Sequence, residues 1–381
     1  MSAILINALS ARQGGGQTYL LQLLARLPPG DPEVIHLLAP ESLARQVEGG
    51  RVRVIRPRWP LANPFLRALW ERLFLRRLTA RLRVHTVFFP GGVVSAGVPR
   101  GCRVVTMFRN MIPFDPVQRA RYPLGYQRLR NALLHGLMLR SFVRADVVIF
   151  LAEHARAVIE AAAGHALSNA VIIPHGIGPE FRVARASLPR PAWLPAGPYL
   201  LYVSTLDVYK AQLAVLRAFA QLLRGWQGPL QLLLLGPENP EYGRQVRAEI
   251  TRLGLEARVR VPGPVPYREL PAVYRHATLK IFASESENCP NILLEAMAAG
   301  LPIACSSRPP MPEFGGDAVR YFDPADPAAL AALLDELLRD DAARQALGAA
   351  AAQRAGRYDW DHTARATWAV LQPPASGEES V

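Results

Sequence analysis

The sequence predicts an α/β protein made of two doubly wound parallel-sheet domains in tandem. Its 381 residues exceed one ordinary domain and suit two of about 180 residues each. Half of the residues are hydrophobic, so each half can bury its own core. Short β-branched runs alternate with longer helical patterns, as in the βαβ units that build parallel sheets.

A Pro-rich stretch separates two series of predicted strands. We interpret residues 175–198 as a linker between a domain of residues 1–174 and a domain of residues 199–355. A last helix is predicted over 356–371, followed by a disordered tail over 372–381. The predicted strands are 3–7, 34–38, 86–89, 103–107, 146–151 and 170–173 in the first series, and 199–204, 230–235, 259–261, 279–283 and 302–305 in the second.

Composition excludes several classes of protein. No run of about 18 apolar residues predicts a transmembrane helix, and the N-terminus lacks the basic region of a signal peptide. Cys102, Cys289 and Cys305 form neither a disulfide framework nor a CxxC metal motif. We therefore expect a cytoplasmic protein with reduced cysteines.

The positive charge is concentrated in the first half of the chain. Residues 1–180 hold 23 Arg and 10 acids, which accounts for the whole net charge of +13, whereas the remaining residues hold 21 basic and 21 acidic side chains. Residues 51–83 contain ten Arg and one acid, Glu71, and residues 119–144 contain six more Arg around the stripe Tyr126, Leu129, Leu133 and Leu137. Basic helices with aromatic residues suit an anionic membrane face, and an Arg-covered surface over ordinary core packing is the alternative.

The second half contains an apolar helix with a single charge. Asn288 is a candidate helix cap, Pro290 suits the first turn, and Gly300 ends the pattern. Because the residues between are apolar or small, the helix is predicted to be buried, together with its one acid, Glu295. A buried carboxylate requires partners.

Glu287 lies eight residues before Glu295, on the loop that leads into this helix. Between the two acids, the N–H groups of Asn291 and Ile292 form an anion site at the helix start. Each carboxylate can accept hydrogen bonds from hydroxyl groups, and the N–H groups between them can bind phosphate. This order of contacts suits a nucleotide-sugar, in which a diphosphate joins two hydroxyl-bearing sugars. The alternative is that Glu295 pairs with an Arg and that Glu287 is a solvated loop acid.

This segment resembles the E-x7-E region of the retaining glycosyltransferases of family 4, the group 1 family with the GT-B fold. The resemblance implies two Rossmann-like domains facing a central cleft, with the last helix crossing back onto the first domain. It also implies that Glu287 contacts the transferred sugar, that Glu295 holds the ribose, and that the amides of Asn291 and Ile292 bind the pyrophosphate of a nucleotide-diphosphate sugar.

A second motif, YVSTLDVYKAQ, begins at Tyr202 and resembles the family's V-G-R-x(n)-K-G phosphate loop. The resemblance assigns Lys210 to the donor phosphates, where a solvated helix-start lysine is the alternative. Ser204 and Thr205 stand where Gly and Arg are common. We expect no Asp-x-Asp motif to hold a metal here, so Lys210, Thr205 and the helix start should meet the phosphate charge, with no obligatory metal or cofactor.

The first domain offers weaker candidates. Gly15 and Gly16 follow the first strand in a loop that is neither GxGxxG nor a Walker A motif. In the family the equivalent loop faces the donor phosphates and the acceptor, so the resemblance makes both glycines donor-binding candidates, and a tight structural turn is the alternative. Many relatives have a His-Asp pair after the strand 103–107. This sequence has Phe108 there, which leaves Arg109 as a catalytic candidate and Asn110 as an acceptor contact. His154 is a further acceptor-side candidate, and a structural residue at a helix start is the alternative.

These observations predict a glycosyltransferase that moves a sugar from a nucleotide-sugar to a glycan or lipid-linked acceptor, with retention at the anomeric carbon. The resemblance alone supplies retention. The alternatives are a nucleotide-sugar 2-epimerase of the same fold and a non-catalytic basic membrane-binding protein. We expect association with the inner face of an anionic membrane through the first domain, and no binding to nucleic acid.

Overall fold

The computed structural model describes residues 3–11, 14–28, 34–47, 49–57, 59, 61, 63–95, 97–122, 125–183 and 187–372. It divides into two compact units: Met1–Gly176 with Trp360–Val381, and Ile177–Asp359. Most of the predicted linker therefore belongs to the second unit. The predicted tail, apart from Gln372, lies outside the described residues.

The first unit is built on a seven-stranded parallel sheet of order β3-β2-β1-β4-β5-β6-β7. Its strand order reverses between β1 and β4, which are neighbours in the sheet. The strands are β1 (Ala3–Asn7), β2 (Val34–Leu38), β3 (Val52–Ile55), β4 (Val84–Phe89), β5 (Arg103–Met107), β6 (Val147–Phe150) and β7 (Ala170–Ile172).

Helices cover both faces of this sheet, because right-handed crossovers on either side of β1 send them to opposite faces. The helix that precedes β4 contains a π-helical turn, Glu71–Leu75, between two α-helical parts. The helices are α1 (Gly15–Leu24), α2 (Glu41–Val47), α3 (Pro64–Trp70), α4 (Arg76–Arg81), α5 (Pro116–Arg121), α6 (Tyr126–Arg144) and α7 (Glu153–Ala163).

The second unit repeats the plan with six parallel strands in the order β10-β9-β8-β11-β12-β13. The strands are β8 (Tyr199–Val203), β9 (Gln231–Leu235), β10 (Val259–Gly263), β11 (Leu279–Phe282), β12 (Ile303–Ser306) and β13 (Arg320–Phe322). The helices are α8 (Gln212–Leu223), α9 (Pro240–Arg252), α10 (Leu270–His276), α11 (Asn291–Ala298), α12 (Met311–Gly315), α13 (Pro327–Arg339) and α14 (Asp341–Ala355).

The last helix, α15 (Trp360–Leu371), packs within the first unit. Its apolar stripe is buried, and the indole N–H of Trp368 donates to the carbonyl of Leu23 in α1 at 3.3 Å. Tyr19 of α1 shares a hydrogen bond with Thr367 at 3.1 Å. Among the described residues, no helix combines the length and hydropathy that a membrane-spanning segment requires.

The sequence prediction missed two edge strands, β3 and β13. Residues 51–83, predicted above as a basic helical segment, begin instead with β3, whose alternating VRVI pattern pairs with β2. The π-helical turn then changes the helical phase, so the apolar residues before and after it do not follow one regular helical spacing. β13 has only three residues and begins with an exposed Arg320, so its pattern is too short to recognise.

Candidate functional site

The candidate site of the second unit lies where the order of its strands reverses. β8 and β11 are adjacent and parallel, but one continues towards β9 and the other towards β12. In open α/β sheets, ligands bind at the carboxyl ends of strands at such a switch point. The loops that follow β8 and β11 meet there, joined by a 2.8 Å hydrogen bond from the N–H of Glu285 to the carbonyl of Tyr209.

Lys210 and Glu287 form an ion pair that joins these same two loops. The Nζ of Lys210 donates to Oε1 of Glu287, and their side chains are 9% and 15% exposed. The ammonium also lies 4.6 Å from the centroid of the Tyr209 ring. Burial alone would lower the pKa of Lys210, but the charge of Glu287 raises it above its usual value. Lys210 therefore stays positively charged. Neither Lys210 nor Glu287 is a solvated side chain, so the alternative given above for each of them is wrong.

The buried helix predicted after Glu287 is α11, and its start differs from the prediction in one detail. The capping position is Pro290, whose carbonyl accepts from the N–H groups of Leu293 and Leu294, so Asn288 does not cap the helix. Asn288 is instead 6% exposed. Among the described residues, neither Oδ1 nor Nδ2 of Asn288 has a hydrogen-bond partner. An amide buried without a partner is costly and indicates a site for a ligand or water.

Glu295 is buried within α11, as predicted, but its partners are tyrosines rather than an Arg. Tyr267 donates to Oε1 at 2.8 Å and Tyr274 donates to Oε2 at 3.3 Å. Burial raises the pKa of Glu295 to about 7, against the opposing effects of the two hydroxyls and of the charge of Lys280. A carboxylate has about four acceptor positions, so two remain available for a ligand.

Lys280, on β11, is a residue whose role the sequence analysis did not recognise. It is fully buried, donates to the carbonyl of Val203 at 3.4 Å, and lies 5.6 and 5.4 Å from the ring centroids of Tyr202 and Tyr274. Burial lowers the pKa of Lys280 well below its usual value. A single charge in the apolar strand LKIF was the signal for it. Tyr267 and Tyr274, seven positions apart, were the signal for the partners of Glu295.

Thr205 follows β8 beside a glycine that permits a close approach of two chains. A Cβ on Gly236, at the end of β9, would lie 2.1 Å from the carbonyl oxygen of Ser204. The carbonyl of Thr205 accepts from Gln212 at 3.0 Å. Ala211, where the family motif has Gly, adopts a left-handed conformation with φ 53°. Thr205 and Lys210 therefore lie on one loop of the site, with Asn291 and Ile292 at the start of α11.

In the first unit, the glycine loop and Arg109 come together. Gly14 adopts φ 69° and precedes α1, which has no side-chain cap. A Cβ on Gly16 would lie 2.5 Å from Nη1 of Arg109, so the absence of a side chain at Gly16 makes room for the guanidinium. Gly15, Gly16 and Arg109 thus form a second positive feature, at a helix start.

Of the remaining candidates in the first unit, one lies in the core and two are half-buried. Phe108 is fully buried against Phe114, Phe142 and Phe150, so its side chain belongs to the core. Asn110 is half-buried, and its Oδ1 accepts from the N–H of Ile112 at 3.3 Å. His154 lies half-buried in the first turn of α7.

Two family models match the chain, one in each half. Residues 13–181 match Glycosyltransferase Family 4, and residues 190–354 match Glycosyl transferases group 1. The chain belongs to the group 1 glycosyltransferases. Its two parallel-sheet domains have the GT-B fold, as the resemblance predicted.

Similar proteins include the O-antigen chain mannosyltransferase B of Escherichia coli, which is 30% identical over 165 residues, 43% of each chain. The chain spans less than half the length of the curated relatives that it matches. Among solved structures, sucrose-phosphate synthase from Thermosynechococcus elongatus has a TM-score of 0.77 at 18% identity, covering 97% of this chain and 98% of its own. Anabaena HepE in complex with UDP-glucose has a TM-score of 0.70 at 17% identity, covering 97% and 100%.

Proposed function

We propose that this protein transfers a sugar from a nucleotide-diphosphate sugar to a glycan or lipid-linked acceptor, with retention of configuration. The observation that carries the proposal is the buried Lys210–Glu287 pair at the switch point of the second sheet, next to the start of α11. A related fold has been solved with UDP-glucose, which supports a donor of this class. The resemblance to family 4 supports retention.

In the proposed reaction, the bond between the anomeric carbon and the leaving phosphate oxygen breaks. The acceptor oxygen attacks from the same face, and its proton passes to that phosphate oxygen. The departing diphosphate gains negative charge, which Lys210 and the N–H groups of Asn291 and Ile292 stabilise. Glu287 holds Lys210 and accepts from a sugar hydroxyl, while Glu295 accepts from the ribose hydroxyls.

The first unit is proposed to serve the acceptor side. Arg109, next to Gly16 at the start of α1, follows Phe108 in the chain and supplies a permanent positive charge. Asn110 and His154 follow strands of the same sheet and are proposed as acceptor contacts. We propose no nucleotide site in this unit beyond the glycine loop, Gly15 and Gly16.

A donor panel tests the function. The protein is incubated with UDP-, GDP-, ADP- and dTDP-sugars, with and without candidate acceptors, in the presence and absence of EDTA. We expect release of one nucleoside diphosphate only when an acceptor is present, unaffected by EDTA, and an axial product linkage from an axial donor by NMR. A changed donor sugar would instead indicate the 2-epimerase. Absence of donor binding would leave the non-catalytic alternative.

Asn288 yields a prediction that separates binding from stability. Replacing Asn288 with Ala removes an amide that has no protein partner, so folding stability should be unchanged or rise by about 1 kcal/mol. Donor affinity should fall about tenfold, because the amide loses its hydrogen bonds to the ligand. Calorimetric titration with the donor and thermal unfolding measure the two quantities.

Asn291→Ala is the matched control, since it alters a neighbouring amide at the helix start but keeps the backbone N–H on which the proposal relies. Its effect on donor affinity should be smaller than that of Asn288→Ala. Equal donor affinity of wild type and Asn288→Ala, or a large loss of stability in that variant, would show that Asn288 serves the fold and not the ligand.

A further inference from the structure

The exposed apolar side chains of the protein are concentrated on one part of the first unit. Twelve large hydrophobic residues are exposed among the described residues, and eleven of them belong to this unit. Nine lie on two helices: Phe65, Leu69, Leu73 and Phe74 on α3 and the π-helical turn, and Tyr126, Leu129, Leu133, Leu137 and Val143 on α6.

On α6 the exposed residues form a regular stripe. Tyr126, Leu129, Leu133 and Leu137 recur at helical spacing along the first 12 residues of this 19-residue helix, and Leu129 is 73% exposed. The same helix packs into the unit through a different face, on which Met138 and Phe142 are buried. The stripe is therefore not the core-facing side of α6, and ordinary core packing does not explain it.

The two helices belong to the same side of the unit. Right-handed crossovers place the helix before β4 and the helix before β6 on one face of the sheet. Two consecutive residues of the loop after β4 form hydrogen bonds to both helices. The N–H of Val94 donates to the hydroxyl of Ser141 in α6 at 2.9 Å, and the hydroxyl of Ser95 donates to Glu71 in the π-helical turn. We name the exposed residues of α3, the π-helical turn and α6 the apolar–Arg face.

Exposed arginines lie on the same helices, and five of them have no acidic partner among the described residues. Residues 61–145 contain fifteen Arg and two acids. Both acids are bound internally: Glu71 is buried and accepts from Asn7 at 2.9 Å, and Asp115 caps α5. In the part of the chain that the structure describes, no acid pairs with the exposed Arg72, Arg76, Arg128, Arg130 or Arg140.

We propose that the apolar–Arg face docks on an anionic lipid bilayer. A phase that is apolar inside and negatively charged at its surface matches exposed leucines bordered by unpaired arginines. A nucleic acid or an anionic polysaccharide would match the arginines but gain nothing from the leucines. A second copy of this chain would bring its own unpaired arginines against these. The inference depends on this surface alone and holds whether or not the protein transfers sugar.

Vesicle binding tests the proposal directly. The full chain is sedimented with sucrose-loaded vesicles of phosphatidylcholine alone, or with one quarter phosphatidylglycerol. We expect binding at least tenfold tighter to the anionic vesicles. The triple variant R128Q/R130Q/R140Q should bind about a hundredfold more weakly, at about fivefold for each Arg. L129S/L133S, which keeps the charge, should bind about tenfold more weakly.

The matched control is R224Q/R244Q/R357Q, which removes three exposed arginines from the second unit and should bind like wild type. Circular dichroism and thermal unfolding confirm that each variant is folded. The proposal is overturned if wild type does not distinguish the two vesicles, if the control loses as much binding as the α6 triple, or if L129S/L133S binds unchanged. A vesicle-free dimer that L129S/L133S dissociates would assign the face to a protein interface instead.

Discussion

Replacing Lys210 with Met should lower kcat for sugar transfer by two to three orders of magnitude. Methionine keeps most of the volume of the side chain but removes the only cation that the loop after β8 brings to Glu287. Losing one donor to a developing anion typically costs a factor of about 100 to 1,000. The measurement is the rate of acceptor-dependent nucleoside diphosphate release under saturating donor.

The same substitution should also destabilise the protein, because it leaves the carboxylate of Glu287 buried without its cation. Breaking a buried pair from one side costs about 3 kcal/mol. Glu287→Gln removes the other member of the pair, and we expect it to slow sugar transfer more than it weakens nucleotide binding. In the double variant K210M/E287Q no buried charge is left unpaired, so part of the lost stability should return while transfer stays slow.

Arg224→Met serves as the control for removing a cation. Because Arg224 is an exposed side chain of the same unit, its replacement should change neither kcat nor the stability of the protein. Denaturant unfolding and kinetics on wild type and the four variants separate the structural from the chemical role of Lys210. If K210M transfers sugar at the wild-type rate, Lys210 does not stabilise the leaving group, whatever happens to stability.

Much of the fold was predictable because strands buried on both faces have a strong pattern. Runs such as LLLL before Gly236 are long, apolar and bounded by turn residues. The edge strands β3 and β13 were harder to predict, because an edge strand has fewer apolar neighbours and can contain charged residues. Arg53 in β3 and Arg320 in β13 are examples. The π-helical turn that begins at Glu71 could not be predicted from the sequence either, because no characteristic residue marks the change of helical phase.

The candidate site was predictable where the chemistry is local, and less so where it depends on packing. The spacing of Glu287 and Glu295 and the apolar helix between them are properties of one segment. The ion pair of Glu287 with Lys210 joins residues 77 positions apart, which no pattern in one chain reveals. The sequence predicts a cap at Asn288 because Asn is a frequent capping residue, but in the structure the carbonyl of Pro290 accepts from the first N–H groups of the helix.

Glu295→Gln should weaken binding of the nucleotide-sugar about 10- to 100-fold at pH 8 and remove the pH dependence of that binding. Because the pKa of Glu295 is raised to about 7, the carboxyl is mostly protonated at pH 6 and ionised at pH 8. If the ribose hydroxyls require the carboxylate, wild type should bind about tenfold more weakly at pH 6 than at pH 8. The diphosphate of a nucleotide-sugar does not titrate in this range, so calorimetric titration reports the protein group.

Stability should change in the opposite direction. A pKa that is higher in the folded protein than the ordinary 4.5 means that the folded state binds the proton more tightly than the unfolded chain. The stabilisation is therefore complete below about pH 4.5 and is lost as the pH rises through about 7, a difference of about 3 kcal/mol. Since Gln is neutral at every pH, Glu295→Gln should be more stable than wild type at pH 8 although it binds the donor less well.

Glu249 provides the matched control on the same unit. It is also a buried acid, but Arg217 and Arg252 hydrogen-bond to it and hold its pKa near 2. Glu249→Gln should lower stability at pH 8 and leave the pH dependence of donor binding unchanged. A wild-type affinity that is flat between pH 6 and pH 8, or a Glu295→Gln variant that binds the donor as tightly as wild type, would remove Glu295 from the ribose site and leave it as a buried partner of Tyr267 and Tyr274.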